Sequence, residues 1–157
     1  MEKIQPTREQ IIEDVRLWSK HFLEVPNLHL GGVPAWPFAK KAWMSMSNLP
    51  SLDHIAINRL KKMIPDWDID KKFLCREIKF RNFNEAWGFM TQIALIAEAM
   101  NHHPDWSNVY STVNIRLTTH DSGGLTGLDF ELALKINEAL GEEKDILKKI
   151  NEIYKTI

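Results

Sequence analysis

Histidine, the side chain best suited to proton transfer near neutral pH, is concentrated at two places in this sequence. His102 and His103 are adjacent and are followed by Pro104, while His120 stands just before a flexible Ser-Gly-Gly turn. Glu98 precedes His102 by four residues, a spacing that puts both side chains on one helix face and predicts that they pair. Because a neighbouring carboxylate favours the charged imidazolium, the pattern predicts an acid/base pocket.

Each of these residues also has a plainer interpretation. A histidine at a helix C-terminus often interacts only with the helix dipole. Asp129 stands three residues after Thr126, as the acidic member of a capping pair does, and Trp106 and Tyr110 could be core aromatics. Three histidines could bind a metal ion, but adjacent histidines rarely ligate one ion and no Asp, Glu or Cys stands at a ligand spacing, so no metal site is expected.

The elements that must position these residues follow from the apolar pattern. From Ser51 onward it predicts, in order, the following elements: a helix over 51–63, strands over 67–70 and 73–80, a helix capped by Asn82 and running to about 101, β structure over 108–120 broken near Ser111, and a helix capped by Thr126 and stopped by Gly141. The order α-β-β-α-β-β-α is typical of an α+β two-layer sandwich, a four-stranded antiparallel sheet with helices packed on one face.

Composition shifts divide the chain into three segments. Residues 1–50 open with a capping box and helical spacing and continue into a turn-rich, aromatic stretch, so we expect a helix plus an extended arm. Residues 51–140 form the predicted domain, and apolar spacing in 141–157 predicts a helical tail. The helix over 83–101 is apolar on more than one side, as is typical of a helix that also meets a partner such as another subunit.

Charge and cysteine content narrow the functional classes. The net charge of −1 over 157 residues lacks the basic excess of a nucleic-acid-binding domain, so no direct nucleic-acid partner is expected. The single cysteine, Cys75, cannot form an internal disulfide and indicates a reducing compartment. The first ten residues are too polar for a signal peptide and no apolar run approaches a membrane span, so we expect a cytoplasmic protein.

The spaced residues together resemble the signature of pterin-4a-carbinolamine dehydratases. The positions that carry the resemblance are Glu98, His102-His103-Pro104, Tyr110, His120 and Asp129. Three, five, nine and eight residues separate them in turn. The stretches 83–99, 109–113 and 117–125 are similar to the family too, and the resemblance covers about residues 51–140. It departs at Asn101, where some members carry an acidic residue, and at Ser122, where a cysteine often stands.

The resemblance implies dehydration of 4a-hydroxytetrahydropterin to quinonoid dihydropterin and water, in tetrahydrobiopterin recycling, without a metal or other cofactor. It implies the following roles: His102, His103 and His120 as the acid/base set, Glu98 and Asp129 as supporting groups, and Pro104 and Trp106 as the wall against the flat pterin ring. It also implies a homodimer or homotetramer built through helix 83–101. The alternative is a non-enzymatic binding, dimerisation or assembly module of the same fold, similar to a transcriptional coactivator.

Overall fold

The computed structural model describes residues 50–156 together with Glu9 and Glu13, which are helical. The predictions for the remainder of 1–49 lie outside the described residues. The elements in chain order are α1 (His54–Lys61), β1 (Asp68–Asp70), β2 (Phe73–Lys79), α2 (Phe83–Met100), β3 (Asp105–Val109), β4 (Thr112–Leu117), a 3-10 turn (His120–Ser122), α3 (Gly127–Ala139) and α4 (Ile146–Thr156).

The strands form one antiparallel sheet in the order β1-β2-β4-β3. Leu74 is opposite Leu117 and is buried with it, because residues in register point to the same face of a sheet. On the other face Glu77 is opposite Asn114, and both are exposed. One face therefore carries the helices and the other stays polar, which confirms the predicted α+β two-layer fold.

Several element boundaries differ from the predictions. Asp53, rather than Ser51, caps α1, since its side chain accepts the N–H of Ala56 at 2.8 Å. The break near Ser111 is confirmed, but β3 begins at Asp105 rather than at residue 108. Polar side chains alternate with Trp106 at the start of this edge strand, so the apolar pattern gave no signal there. β4 ends at Leu117 rather than at residue 120, so His120 lies in the 3-10 turn and not in the strand.

The C-terminal helix α4 belongs to the same hydrophobic core as the sheet and α3. Its buried side chains are Ile146, Ile150, Ile153 and Tyr154. It packs along α3, in which every residue from 127 to 137 is buried. Residues 146–156 therefore pack into the same core as α3.

A buried polar cluster fastens α4 to α3. Lys135 Nζ donates to Glu131 Oε1 at 2.7 Å, and both side chains are at most 1% exposed. The hydroxyl of Tyr154 donates to the other oxygen of Glu131. Burial raises the pKa of Tyr154 well above its usual value, and the carboxylate of Glu131 raises it further.

This cluster predicts a loss of stability at high pH. Because the folded state holds the Tyr154 proton more tightly than the unfolded state does, its contribution is complete below the usual tyrosine pKa of about 10 and is lost as the pH rises above it. We expect the free energy of unfolding, measured by urea titration between about pH 9 and about pH 11, to fall more steeply for the wild type than for Tyr154→Phe. At neutral pH this variant is expected to lose about 1–2 kcal/mol through the missing hydrogen bond. Parallel pH curves for the two proteins would contradict the prediction.

Candidate active site

The direction of His102 is set by the end of α2. Asn101 adopts a left-handed conformation with φ of 48°, which asparagine tolerates better than most residues. The backbone N–H of His102 then folds back onto the carbonyl of Ala97 at 3.0 Å. The helical phase ends at Met100, so His102 leaves the face on which Glu98 lies.

The predicted pairing of Glu98 with His102 is therefore wrong. His102 Nε2 lies 2.7 Å from Asp129 Oδ1 at the start of α3. Glu98 is paired instead with His103, whose Nε2 is 2.8 Å from Glu98 Oε2. The four-residue spacing assumed that the helix continues through position 102, and the left-handed residue before it breaks that register.

The capping role predicted for Asp129 is present, and the same carboxylate also holds His102. Its Oδ2 accepts the backbone N–H of Thr126 at 2.8 Å, which completes a capping box at the start of α3. The same oxygen accepts the hydroxyl of Thr119, also at 2.8 Å. The residue is fully buried, so one carboxylate joins α3, the segment after β4 and the turn after α2.

The two histidine–carboxylate pairs lie in opposite environments. The side chains of His102 and Asp129 are 8% and 0% exposed, whereas those of His103 and Glu98 are 55% and 57% exposed. A hydrogen bond in the dry interior is electrostatically stronger and holds its groups in one geometry, while the exposed pair is screened by water and salt. The fold thus offers one buried imidazole next to one exposed imidazole, and different environments are what separate acid from base roles.

The geometry also shows which ring nitrogen of His102 is engaged by Asp129 and which is left without a partner among the described residues. An ionised carboxylate has only acceptor sites, so with Asp129 ionised the proton of this hydrogen bond is on Nε2. Nδ1 makes no hydrogen bond to any residue in the described part of the chain. It is therefore the acceptor of the neutral ring and the donor of the charged ring.

The topology brings the second histidine segment to the same end of the sheet. Asp105 at the start of β3 is opposite Arg116 near the end of β4. The turn that carries His103 and Pro104 precedes β3, and the 3-10 turn that begins at His120 follows β4. His120 is exposed and Pro104 is half-buried.

The two candidate aromatic residues, Trp106 and Tyr110, lie at opposite ends of β3. Trp106 is opposite Ile115, is partly buried and packs against the core at the histidine end of β3. Tyr110 lies in the turn between β3 and β4, at the far end of both strands, with φ of 51° and 66% of its surface exposed. The plainer interpretation of Trp106 as a core aromatic fits its packing, whereas Tyr110 is not a core residue.

Thr119 is the site residue that the sequence analysis missed. Its hydroxyl bonds the carboxylate that holds His102, and the next residue is His120. The alternation of the strand marked it only as a β residue. Its position directly before a histidine-led turn, where a threonine usually caps, was the available signal. Among the described residues, no group of three or more His, Cys, Asp or Glu side chains is placed to hold a metal ion.

The region that contains these residues matches a family of known proteins. The family model described as pterin 4 alpha carbinolamine dehydratase matches residues 50–139, more than half of the 157-residue chain. The chain belongs to this family. The family name denotes a dehydratase, which is a hydro-lyase enzyme. In the part of the chain that the structure describes, no helix has the length and apolar character needed to cross a membrane.

Individual members of the pterin dehydratase family are similar over the same region. A relative from Prochlorococcus marinus, provisionally named a pterin-4-alpha-carbinolamine dehydratase, is 55% identical over 82 residues, which are 52% of this chain and 85% of the relative. A relative from Mesorhizobium japonicum with the same provisional name is 51% identical over 88 residues, covering 55% of this chain and 90% of its own. The crystal structure of a transcriptional coactivator/pterin dehydratase from Brucella melitensis matches with a TM-score of 0.55 at 37% identity, over 57% of this chain and 97% of that one.

The observed pairs predict which histidine responds to a change at Glu98. In Glu98→Gln we expect the ring ¹⁵N and ¹H signals of His103 to shift, because this ring loses its charged partner. The signals of His102 are expected to stay in place, since its partner is Asp129. His54, exposed on α1, is the internal reference. A shift confined to His102 would restore the pairing that the helix spacing predicted and contradict the structure.

Proposed function

We propose that this protein dehydrates 4a-hydroxytetrahydropterin to quinonoid dihydropterin and water by histidine acid/base catalysis, as a step of tetrahydrobiopterin recycling. The observation that carries the proposal is the buried contact between His102 and Asp129, placed next to the exposed His103. Membership in the family and the provisional dehydratase names of its relatives support the same reaction.

The reaction needs two proton transfers and no change of oxidation state. The bond from carbon 4a to the hydroxyl oxygen breaks, and that oxygen takes up a proton and leaves as water. A ring nitrogen loses a proton, and its electron pair forms the new double bond to carbon 4a. Side chains that titrate near neutral pH suffice for both transfers, so we propose no cofactor.

We assign the proton acceptor role to His102. Its Nε2 is engaged with Asp129, so Nδ1 of the neutral ring is the basic atom presented to a ligand. His103 and His120 are exposed and can exchange protons with water between turnovers, which suits delivery of a proton to the leaving hydroxyl. Glu98 holds the His103 ring through Nε2 and so fixes which nitrogen faces the substrate.

Pro104 and Trp106 are proposed to bind the flat face of the pterin. Pro104 is half-buried directly after the two histidines, and Trp106 is partly buried two residues later. An apolar wall with polar groups at its edge is what a heteroaromatic ring requires. The free thiol of Cys75 in β2 fits a reducing compartment, and we place the protein in the cytoplasm.

We further propose that the chain forms a homodimer or homotetramer through α2. This helix buries one side against the domain and leaves Phe83, Trp87 and Leu95 exposed by 43%, 56% and 48%. The Phe83 and Trp87 rings stack with centroids 5.8 Å apart. Exposed aromatic and aliphatic side chains grouped on one helix face are typical of a helix-to-helix interface.

The same helix face supports a second candidate function, a binding or assembly module. The related protein from Brucella melitensis is described as a transcriptional coactivator as well as a pterin dehydratase. A pure adaptor has no need of the histidines and their two carboxylates, whereas an enzyme needs them all. The full set present here therefore favours the enzyme.

Turnover of freshly generated 4a-hydroxytetrahydropterin, followed by the absorbance of the quinonoid product, tests the proposed activity. We expect the wild type to accelerate the reaction over buffer, and His102→Ala and His103→Ala to lose about 10²-fold or more in kcat/KM. His54→Ala, which removes an exposed histidine of α1, is the matched control and should keep full activity. A wild type no faster than buffer, or full activity in both site variants, would contradict the proposal.

Replacement of an exposed aromatic on α2 tests the assembly. We expect the wild type to run as a dimer or tetramer in gel filtration with light scattering, and Trp87→Glu to dissociate because a charge would be buried at the interface. Leu147→Glu changes an exposed apolar residue of α4 in the same way and should leave the mass unchanged. A monomeric wild type would show that α2 is not the interface between copies.

A further inference from the structure

Thr119 uses its hydroxyl in an unusual way for its position. It is the residue before the 3-10 turn His120–Ser122, where a threonine side chain ordinarily accepts a backbone N–H of the turn. The Thr119 side chain makes no such capping bond. Its Oγ1 lies instead 2.8 Å from Asp129 Oδ2 and 2.7 Å from Thr126 Oγ1, so the hydroxyl serves the carboxylate that holds His102.

The hydrogen bonds around Thr119 run in one direction. A hydroxyl has one proton, and that of Thr119 goes to the carboxylate of Asp129. Thr126 must then donate its own proton to Thr119, and it accepts the backbone N–H of Leu128 at 3.3 Å. This series of hydrogen bonds thus ends on Asp129. No more than 9% of any of these residues is exposed, so water has little access to replace a missing donor.

The backbone of Thr119 fixes the other histidine segment. Its N–H and C=O pair with the backbone of Gly124 at 3.2 and 3.4 Å, and its carbonyl also accepts the N–H of Ser122 at 3.1 Å. Gly123, with φ of 70°, donates to the carbonyl of His120 at 3.0 Å and closes the turn. Thr119 therefore forms hydrogen bonds to the His120 turn through its backbone and to Asp129 through its side chain.

We propose that Thr119 is a positioning residue that couples the two histidine segments of the site. Its hydroxyl orients Asp129 and through it the ring of His102, and its backbone sets the place of His120. The catalytic consequence rests on the proposed function, whereas the coupling of Thr119 to His102 does not.

None of the other ionisable groups around this carboxylate, in the part of the chain that the structure describes, makes a hydrogen bond to the Thr119 hydroxyl. On α3 and α4 they are Glu131, which is held by Lys135, and Tyr154, whose pKa is raised in part by Asp129. The remaining ionisable groups near the site are Glu98 and His103, which pair with each other and are exposed to solvent. A change at His102 in a Thr119 variant therefore reports on the hydroxyl itself.

Three variants isolate the hydroxyl. Thr119→Val removes it while keeping the branched shape, Thr119→Ser keeps it, and Thr118→Val removes a buried neighbouring hydroxyl that makes no hydrogen bond to Asp129. We expect Thr119→Val to lower kcat about tenfold with KM changed by less than about twofold, and to move the midpoint of the pH profile of kcat. Thr119→Ser should restore both, and Thr118→Val should match the wild type. A Thr119→Val enzyme that behaves like Thr118→Val would overturn the proposal.

Ring ¹⁵N spectra of His102, recorded without substrate, separate this proposal from the proposed function. The signals should shift in Thr119→Val and stay in place in Thr119→Ser and Thr118→Val. If the wild type does not turn over the pterin but this shift appears, the reaction is wrong and the coupling stands. If the wild type is active and no shift appears, the coupling is wrong. Should Thr119→Val fail to fold, the wild type alone still tests the proposal. A buried hydroxyl that donates to Asp129 should have a slowly exchanging proton, which can be observed for Thr119. Absence of such a proton would overturn the proposal.

Discussion

A buried carboxylate must have its acceptor sites filled, and Asp129 meets this requirement by drawing on three parts of the chain. Thr126 caps α3, the helix that contains Asp129, while Thr119 follows β4 and His102 follows α2. Removing any of these partners leaves a buried carboxyl group with fewer hydrogen bonds, which is among the more costly changes a core can suffer. The requirement that stabilises the start of α3 therefore also sets the position of the imidazole that we propose as the proton acceptor.

The rest of the domain holds α3 in place around this contact. The helix is buried over residues 127–137 and carries a second polar cluster, in which Glu131 binds Lys135 and Tyr154 of α4. Apolar packing alone tolerates small rotations of a helix, whereas buried hydrogen bonds with fixed partners do not. The two clusters together specify where α3 lies, so the site inherits its rigidity from the core.

The sequence predicted the sheet, the helices and most of their caps, because alternation along β4 and the residues Asn82 and Thr126 are local signals. It did not predict the partner of His102, since helical spacing cannot show that Asn101 turns left-handed and redirects the next residue. The burial of Glu131 and Lys135 was equally hidden, because charged residues four apart usually mark a solvated helix face. Local patterns therefore predicted the elements and the candidate residues, but the contacts that join these residues are long-range.

The protonation pattern of His102 tests the account most directly. In uniformly ¹⁵N-labelled protein at a pH where the ring is neutral, two-bond ¹H–¹⁵N spectra distinguish a protonated ring nitrogen from one with a free lone pair. The hydrogen bond to Asp129 predicts that Nε2 carries the proton and that Nδ1 is the basic atom. A neutral ring protonated at Nδ1, with Nε2 free, would contradict the central contact and with it the proposed role of His102.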